Sequence, residues 1–297
     1  MSNAVSDKKI LVTGSTGATG TPTVKLLIER GFAVRAQVRR QDHRSATLES
    51  LGAEIVEDDL LNLSNVREML AGVHSAFFIF PMRPDFLDAT SYFAQAAAEA
   101  KLDAIVNLSQ RTASDTSESH IARNHWMSER VFDQFPTPTV HLRPTFFADW
   151  FLYFTDMVKA GALQFPFVTD SKHAAPTPLD RARVAAAVLA EPEPHKGQTY
   201  ELYGAQELTF PEMTAAIGEA LDKDITYQQV PFDAFVDGAK AHGFDFDPYF
   251  VQSIAAVVKE HQGGLLAGNN DLVEKIGGTH PTTIKEFVQT NRTAFES

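Results

Sequence analysis

Apolar positions in the first half of the chain fall into short runs that alternate with segments of helical spacing. That is the sequence form of a parallel sheet covered by helices. Lys9-Ile10-Leu11-Val12-Thr13 reads as a buried strand, closed by the glycines after it. Residues 21–30 read as a helix: Pro22 suits its first turn, Val24, Leu27 and Ile28 share one face, and Gly31 ends it. Further strands are expected at residues 32–38, 53–56, 76–80 (stopped by Pro81), 104–108 and 139–142. Helices are expected between them at 64–70, opened by a Ser cap, at the alanine-rich 89–100, and at 119–135.

Past Trp150 the rhythm loosens, with frequent Pro, Gly and aromatic residues and helical segments such as 211–221 and 248–260. The chain is expected to return to the sheet around 198–202. The expected architecture is α/β: a doubly wound parallel Rossmann sheet over residues 1–150 and a smaller, mainly helical substrate lobe over 151–297.

The sharpest local signal sits between the first strand and the first helix. Gly14-Ser15-Thr16-Gly17-Ala18-Thr19-Gly20 has GxxGxxG spacing. Small residues let the backbone turn tightly, leave room for a diphosphate and let the helix pack on the strand. The helix N-terminus then offers free N–H groups and a positive dipole end. Ser15, Thr16 and Thr19 add hydroxyls without bulk. A Walker loop is excluded, because no GK[ST] follows, and the chain has no HExxH zinc motif and no GxSxG elbow. These residues point to dinucleotide binding.

In such a fold the end of the second strand borders the adenosine ribose, where an acid favours NAD and an arginine accommodates a 2′-phosphate. Here that strand runs into Arg39-Arg40, with Arg44 nearby. A guanidinium fork suits phosphate by charge and by geometry. NADP(H) is therefore expected over NAD(H), which Asp42 would serve as a ribose acid.

Bulk properties narrow the classes further. A net charge of −12 argues against binding the phosphate backbone of nucleic acid, which needs clustered Lys and Arg. The absence of cysteine removes disulfides, thiolate nucleophiles and Cys-ligated metals, and no metal site is expected. Residues 1–9 are polar, with no apolar signal-peptide run after them, and no stretch is apolar enough to span a bilayer. A cytoplasmic protein without membrane partners is expected.

With the glycine loop, the Arg-Arg pair and Asp59-Leu60 in view, the chain resembles the NmrA-like atypical short-chain dehydrogenases, in particular their triphenylmethane-reductase-like branch. Phe80-Pro81, Asn107-Leu108-Ser109-Gln110, Leu142-Arg143-Pro144-Thr145-Phe146-Phe147 and the tail Lys275-Ile276-Gly277-Gly278-Thr279-His280-Pro281 carry the same likeness. The resemblance implies that Asp59 and Leu60 flank the adenine and that Phe80 and Pro81 line the cofactor groove. It places Ser109, Pro144, Thr145 and Phe146 near the nicotinamide. It also implies two kinds of function: NADPH-dependent reductases of small molecules, and non-catalytic, redox-sensing regulators with a protein partner.

Ordinary short-chain dehydrogenases carry Tyr-x-x-x-Lys on one helix face, the Lys charge lowering the Tyr pKa. None of the six tyrosines here has a Lys four residues later. By spacing, His125 takes the Tyr position and Glu129 the Lys position. Two readings stand. His125 donates a proton while Glu129 stabilises its charged form, or the two form a structural pair that orients the helix. Without a Tyr-Lys dyad, the expected acceptor needs little proton assistance: a quinone, an iminium, a dye-like cation or an enone. Phe146, Phe147, Trp150, Phe151, Tyr153 and Phe154 either wall a flat pocket for it or form core between the lobes.

Overall fold

The strand β1 (Ser6–Val12) pairs in parallel with both β2 (Phe32–Val38) and β4 (Ser75–Phe78). On the β2 side follows β3 (Glu54–Glu57); on the β4 side follow β5 (Ala104–Leu108) and β6 (Thr139–Pro144). The strand order therefore reverses between β1 and β4, and in open α/β sheets a ligand crevice opens at such a switch point. Thr13 holds the crevice edge: its hydroxyl accepts from Ile79 N at 2.7 Å and donates to Ile79 O at 2.8 Å. This computed structural model describes residues 6–241, 243–244 and 246–296. The polar residues 1–5 discussed above lie outside that set.

One face of the sheet is covered by α1 (Gly20–Glu29), which meets a core of Val12, Val24, Leu27 and Val106. The other face carries α3 (Leu63–Leu70), α4 (Phe86–Ala100) and α5 (His120–Asp133), packed through Val66, Met69, Phe93 and Phe132. Buried Ala89, Ala94, Ala96 and Ala97 allow α4 its close approach.

Several expected boundaries shift for local reasons. α3 is capped by Asn62, whose Oδ1 accepts from Ser64 N at 3.0 Å and Asn65 N at 3.3 Å, so Ser64 is inside the helix and not its cap. β4 stops at Phe78, two residues before the expected end, and α4 starts at Phe86 instead of Ala89. A helix absent from the sequence reading, α2 (His43–Ser50), follows β2. Of its side chains only Ser45 and Leu48 are buried, so it shows no apolar stripe; an Asp42–Ser45 capping box starts it.

After β6 come a 3₁₀ turn at Ala148–Phe154, α6 (Thr155–Lys159), β7 (Ala162–Phe165) and β8 (Lys172–His173). The chain then returns to the sheet. Helix α7 (Pro178–Ala190) packs on α1, and β9 (Thr199–Leu202) adds a seventh parallel strand beside β6, where a return was expected. β10 (Leu208–Thr209) pairs with β8, and β11 (Thr226–Gln229) follows α8 (Phe210–Leu221) to pair with β7. Next come α9 (Phe232–Ala241), α10 (Pro248–Gln262) and α11 (Leu272–Gly277), the last packing on α7. Helices α12 (Ile284–Thr290) and α13 (Arg292–Glu296) end the described chain. Away from the sheet, these later elements share a phenylalanine-rich core that includes Phe151, Phe165, Phe167, Phe210 and Phe235.

Candidate functional site

A cleft of about 630 Å³ opens above the β1–β4 switch point, between the sheet ends and the phenylalanine-rich part of the chain. Gly14, Gly17, Ala18, Thr19 and Gly20 line one end. Gly14 takes φ +55°, and a Cβ on Gly20 would stand 2.3 Å from Gly14 O and 2.8 Å from Ser15 Cα. The loop is wound too tightly for any side chain there. No side chain caps α1; Thr21 N donates to Gly17 O at 3.0 Å, Thr23 N donates to Thr19 O at 3.3 Å and Pro22 has no N–H, so of its first turn Gly20 N is the group left without a partner among the described residues. A helix N-terminus behind a cradle of small residues fits a diphosphate. Gly17 and Ala18 are exposed at its lip.

The loop hydroxyls divide. Ser15 is buried and spends its Oγ on Gln37 O at 2.7 Å, so it braces the loop instead of facing the cleft. Thr16 is half-buried and outside the lining, while Thr19 lines it. Gln37 also receives Gly14 N on Oε1 at 3.2 Å and donates to Asp58 O at 2.8 Å. The tip of β2 is thereby held beside the glycine loop. Arg39 and Arg40 follow on that tip, exposed and, among the described residues, without an ion pair or side-chain hydrogen bond. Asp42 is committed elsewhere: it caps α2 and pairs with Arg44 at 2.6 Å. Exposed Asp59 accepts from Leu61 N, and Leu60 is core; both stand outside the cleft lining.

Phe80, Pro81, Ser109, Pro144, Thr145 and Phe146 all reach the cleft. His125 lines it too, held edge-to-face by Phe86 at 4.6 Å between ring centroids. The ring is 7% exposed, and its Nδ1 is buried with no partner. Burial drives its pKa down to about 4, only partly opposed by the charge of Glu129, so the imidazole is neutral near pH 7.

Glu129 stands apart from that ring. Fully buried and outside the cleft lining, it accepts from Ser109 Oγ at 2.6 Å and from Arg143 Nε at 2.8 Å, with a second Arg143 bond to its other oxygen. Burial alone would raise its carboxyl; the hydrogen bonds from Arg143 and Ser109 outweigh this and hold it below the usual carboxylate range. The Ser109 proton is thus turned away from the cleft. The structure joins Glu129 to Ser109 and Arg143, and no hydrogen bond joins it to His125.

At the other end Phe146, Trp150, Tyr153 and Phe154 meet Phe250 and Ile254 of α10 across the cleft. Phe151, grouped with them in the sequence, turns into the core. Trp150 stacks on Phe250 at 6.3 Å and 18°, and its Nε1 is buried with no partner. The sequence reading missed Phe244, Phe246 and Phe250, which come from a distant segment, and a buried arginine, Arg181. Among the described residues no group of three or more His, Asp or Glu side chains could hold a metal, and no helix is long and apolar enough to cross a membrane.

Comparison with known proteins agrees with this architecture. The profile of the NmrA-like family matches residues 6–287. The NAD(P)H azoreductase of Xenophilus azovorans is 25% identical over 292 residues, 96% of this chain and 99% of that protein. An NADPH complex of an Escherichia coli quinone oxidoreductase superposes with TM-score 0.82 at 24% identity, over 95% of this chain and 99% of the other. The triphenylmethane reductase of Citrobacter sp. gives TM-score 0.81 at 24% identity, over 97% and 100%.

Proposed function

The chain belongs to the NmrA-like family, and from that premise we propose that it is an NADPH-dependent reductase delivering hydride to a flat, conjugated acceptor. One observation carries the reading. A single cleft runs from the glycine cradle, past a neutral imidazole, to a wall of aromatic rings. A diphosphate at α1 would place the rest of a dinucleotide along that path, with the nicotinamide supplying the hydride. The chain's own part is to orient the two reactants and exclude water. Relatives that are an azoreductase, a quinone oxidoreductase and a triphenylmethane reductase support an acceptor of this shape.

Cofactor choice rests on Arg39 and Arg40, two guanidinium groups beside the loop with no partner in the described protein. They suit a 2′-phosphate. His125 acts as a hydrogen-bond donor to the acceptor. With Nδ1 buried and unpartnered, a proton there would be an unsatisfied buried donor. The tautomer protonated on Nε2 instead presents its N–H to the cleft. The proton that completes reduction comes from water.

The test is to mix the purified protein with NADPH and a panel of naphthoquinones, iminium dyes and enones, and follow the nicotinamide absorbance. Acceptor-dependent oxidation is expected, and Arg39→Ala should weaken NADPH far more than NADH. Tight nucleotide binding with no turnover across the panel would overturn the reductase in favour of a nucleotide sensor.

A further inference from the structure

Arg181 is among the largest fully buried side chains, 1% exposed in the first turn of α7. Its guanidinium donates from Nε to Thr19 Oγ1 at 3.0 Å, from Nη1 to Pro176 O at 3.1 Å and from Nη2 to Asp149 Oδ1 at 2.8 Å. Its carbon lies 3.9 Å from the centre of the Phe147 ring. These partners belong to separate parts of the chain: the glycine loop, the aromatic wall and the approach to α7.

Stability alone gives little reason for such a group. An ion pair this deep costs desolvation that its attraction barely repays, and apolar side chains of the same size would pack as well. Its place suggests another use, because Arg181 lines the cleft beside Gly17, Ala18 and Thr19. A guanidinium has five N–H groups, and among the described residues three are used. The other two have no partner among the described residues. Asp149, at the far side of the guanidinium, sits directly before Trp150 in the wall.

We propose that Arg181 is a positioning residue that couples the two ends of the cleft: a diphosphate on the α1 N-terminus takes its spare donors, and the fixed guanidinium orders Trp150 through Asp149 and Phe147. Nucleotide and acceptor binding are then cooperative, with the nucleotide preparing the wall. This rests on the dinucleotide reading above, and by linkage an acceptor must tighten nucleotide binding equally.

The probe is 2′-phospho-ADP-ribose, which carries the diphosphate but no nicotinamide and so reaches Trp150 only through the protein. A Trp126→Phe background leaves Trp150 as the single tryptophan. Ligand binding is measured by calorimetry and Trp150 accessibility by acrylamide quenching. In the parent, saturation with the probe should cut the quenching constant about twofold. Thr19→Ala, Asp149→Asn and Arg181→Lys each break one link; at probe concentrations that calorimetry shows to saturate each variant, quenching should no longer respond. The conservative variants guard against misfolding, checked by circular dichroism. A parent that binds the probe with unchanged quenching overturns the coupling, as do variants that respond like the parent. A folded parent that binds neither the probe nor NADPH overturns the dinucleotide reading itself.

Discussion

The role of His125 can be decided by a pH profile joined to two substitutions. A histidine with an ordinary pKa near 6.5 that donates its proton would make kcat/KM fall about tenfold per unit above that pH. Here burial brings the ring down to about 4. The charged fraction is then about 3% at pH 5.5 and about 0.1% at pH 7. As a neutral donor, the ring gives a flat profile between about pH 5.5 and 8.5, since nothing on it titrates there. A preorganised donor aimed at developing charge in a dry site contributes roughly 10²–10³ in kcat. His125→Ala should therefore lose about that much. His125→Gln, which restores an N–H of similar reach, should stay within about tenfold of the parent. Stopped-flow reduction of a naphthoquinone, with NADPH affinity measured separately, reads both. A limb falling tenfold per unit above about pH 6.5 in the parent, abolished in His125→Gln, would refute the neutral-donor role.

Three further outcomes follow from the same contacts. Gly20→Ala should lose stability by at least about 2 kcal/mol and weaken NADPH binding, because its Cβ meets backbone at 2.3 Å; Gly17→Ala, at 3.1 Å, should be milder in thermal melts. Arg143→Met strips Glu129 of its main partner and should cost about 3 kcal/mol. The parent's carboxyl, held low, stabilises above its unfolded pKa; in the variant burial raises it, so the deficit should grow as pH rises, seen as a widening Tm gap between about pH 5 and 8. Buried His125, His173 and His261 are lowered to about 4, 3 and 4, so the unfolded chain binds more protons and stability falls as pH drops below about 6.5. Each contributes about 2 kcal/mol of loss by pH 5, and a His173→Leu/His261→Leu variant should show a visibly smaller drop in Tm over that interval.

The sheet and its glycine loop were legible because their physics is local. Buried parallel strands are continuous apolar runs, and a loop that must shed its side chains shows it in spacing. Helix α2 was not legible, because only Leu48 among its apolar residues is buried and propensity alone does not mark a start. The site divides in the same way. Gly14 to Gly20 and Arg39 announce themselves from adjacent positions. The wall does not, since Phe250 on α10 meets Trp150 across a hundred residues of chain. Arg181 was hidden among ordinary helix residues, and only the fold shows that α7 lies against α1 and Thr19. Nothing in the sequence separates Arg181 from Arg183 two residues on, which is half-buried and pairs with Asp180. Spacing suggested a His125–Glu129 pair across a helical turn, but i, i+4 spacing cannot reveal a competitor from another strand. Arg143 on β6 is that competitor.

This exchange of partners limits the chemistry the cleft can support. In a Tyr-Lys enzyme a cation beside the nicotinamide makes the phenol acidic enough to protonate an alkoxide. Here the corresponding carboxylate is buried, its charge is met by Arg143, and the nearby Ser109 hydroxyl is consumed in the same pair. In the proposed reaction a neutral imidazole faces the acceptor, and its N–H would polarise an oxygen or nitrogen without giving the proton up. Reduction of a simple ketone would leave a localised alkoxide with nothing to neutralise it. A quinone, an azo bond or a carbocationic dye spreads or cancels the incoming charge within its own π system and waits for water. In the proposed reductase the aromatic wall would favour the same molecules by shape, so electrostatics and packing point to one class of acceptor.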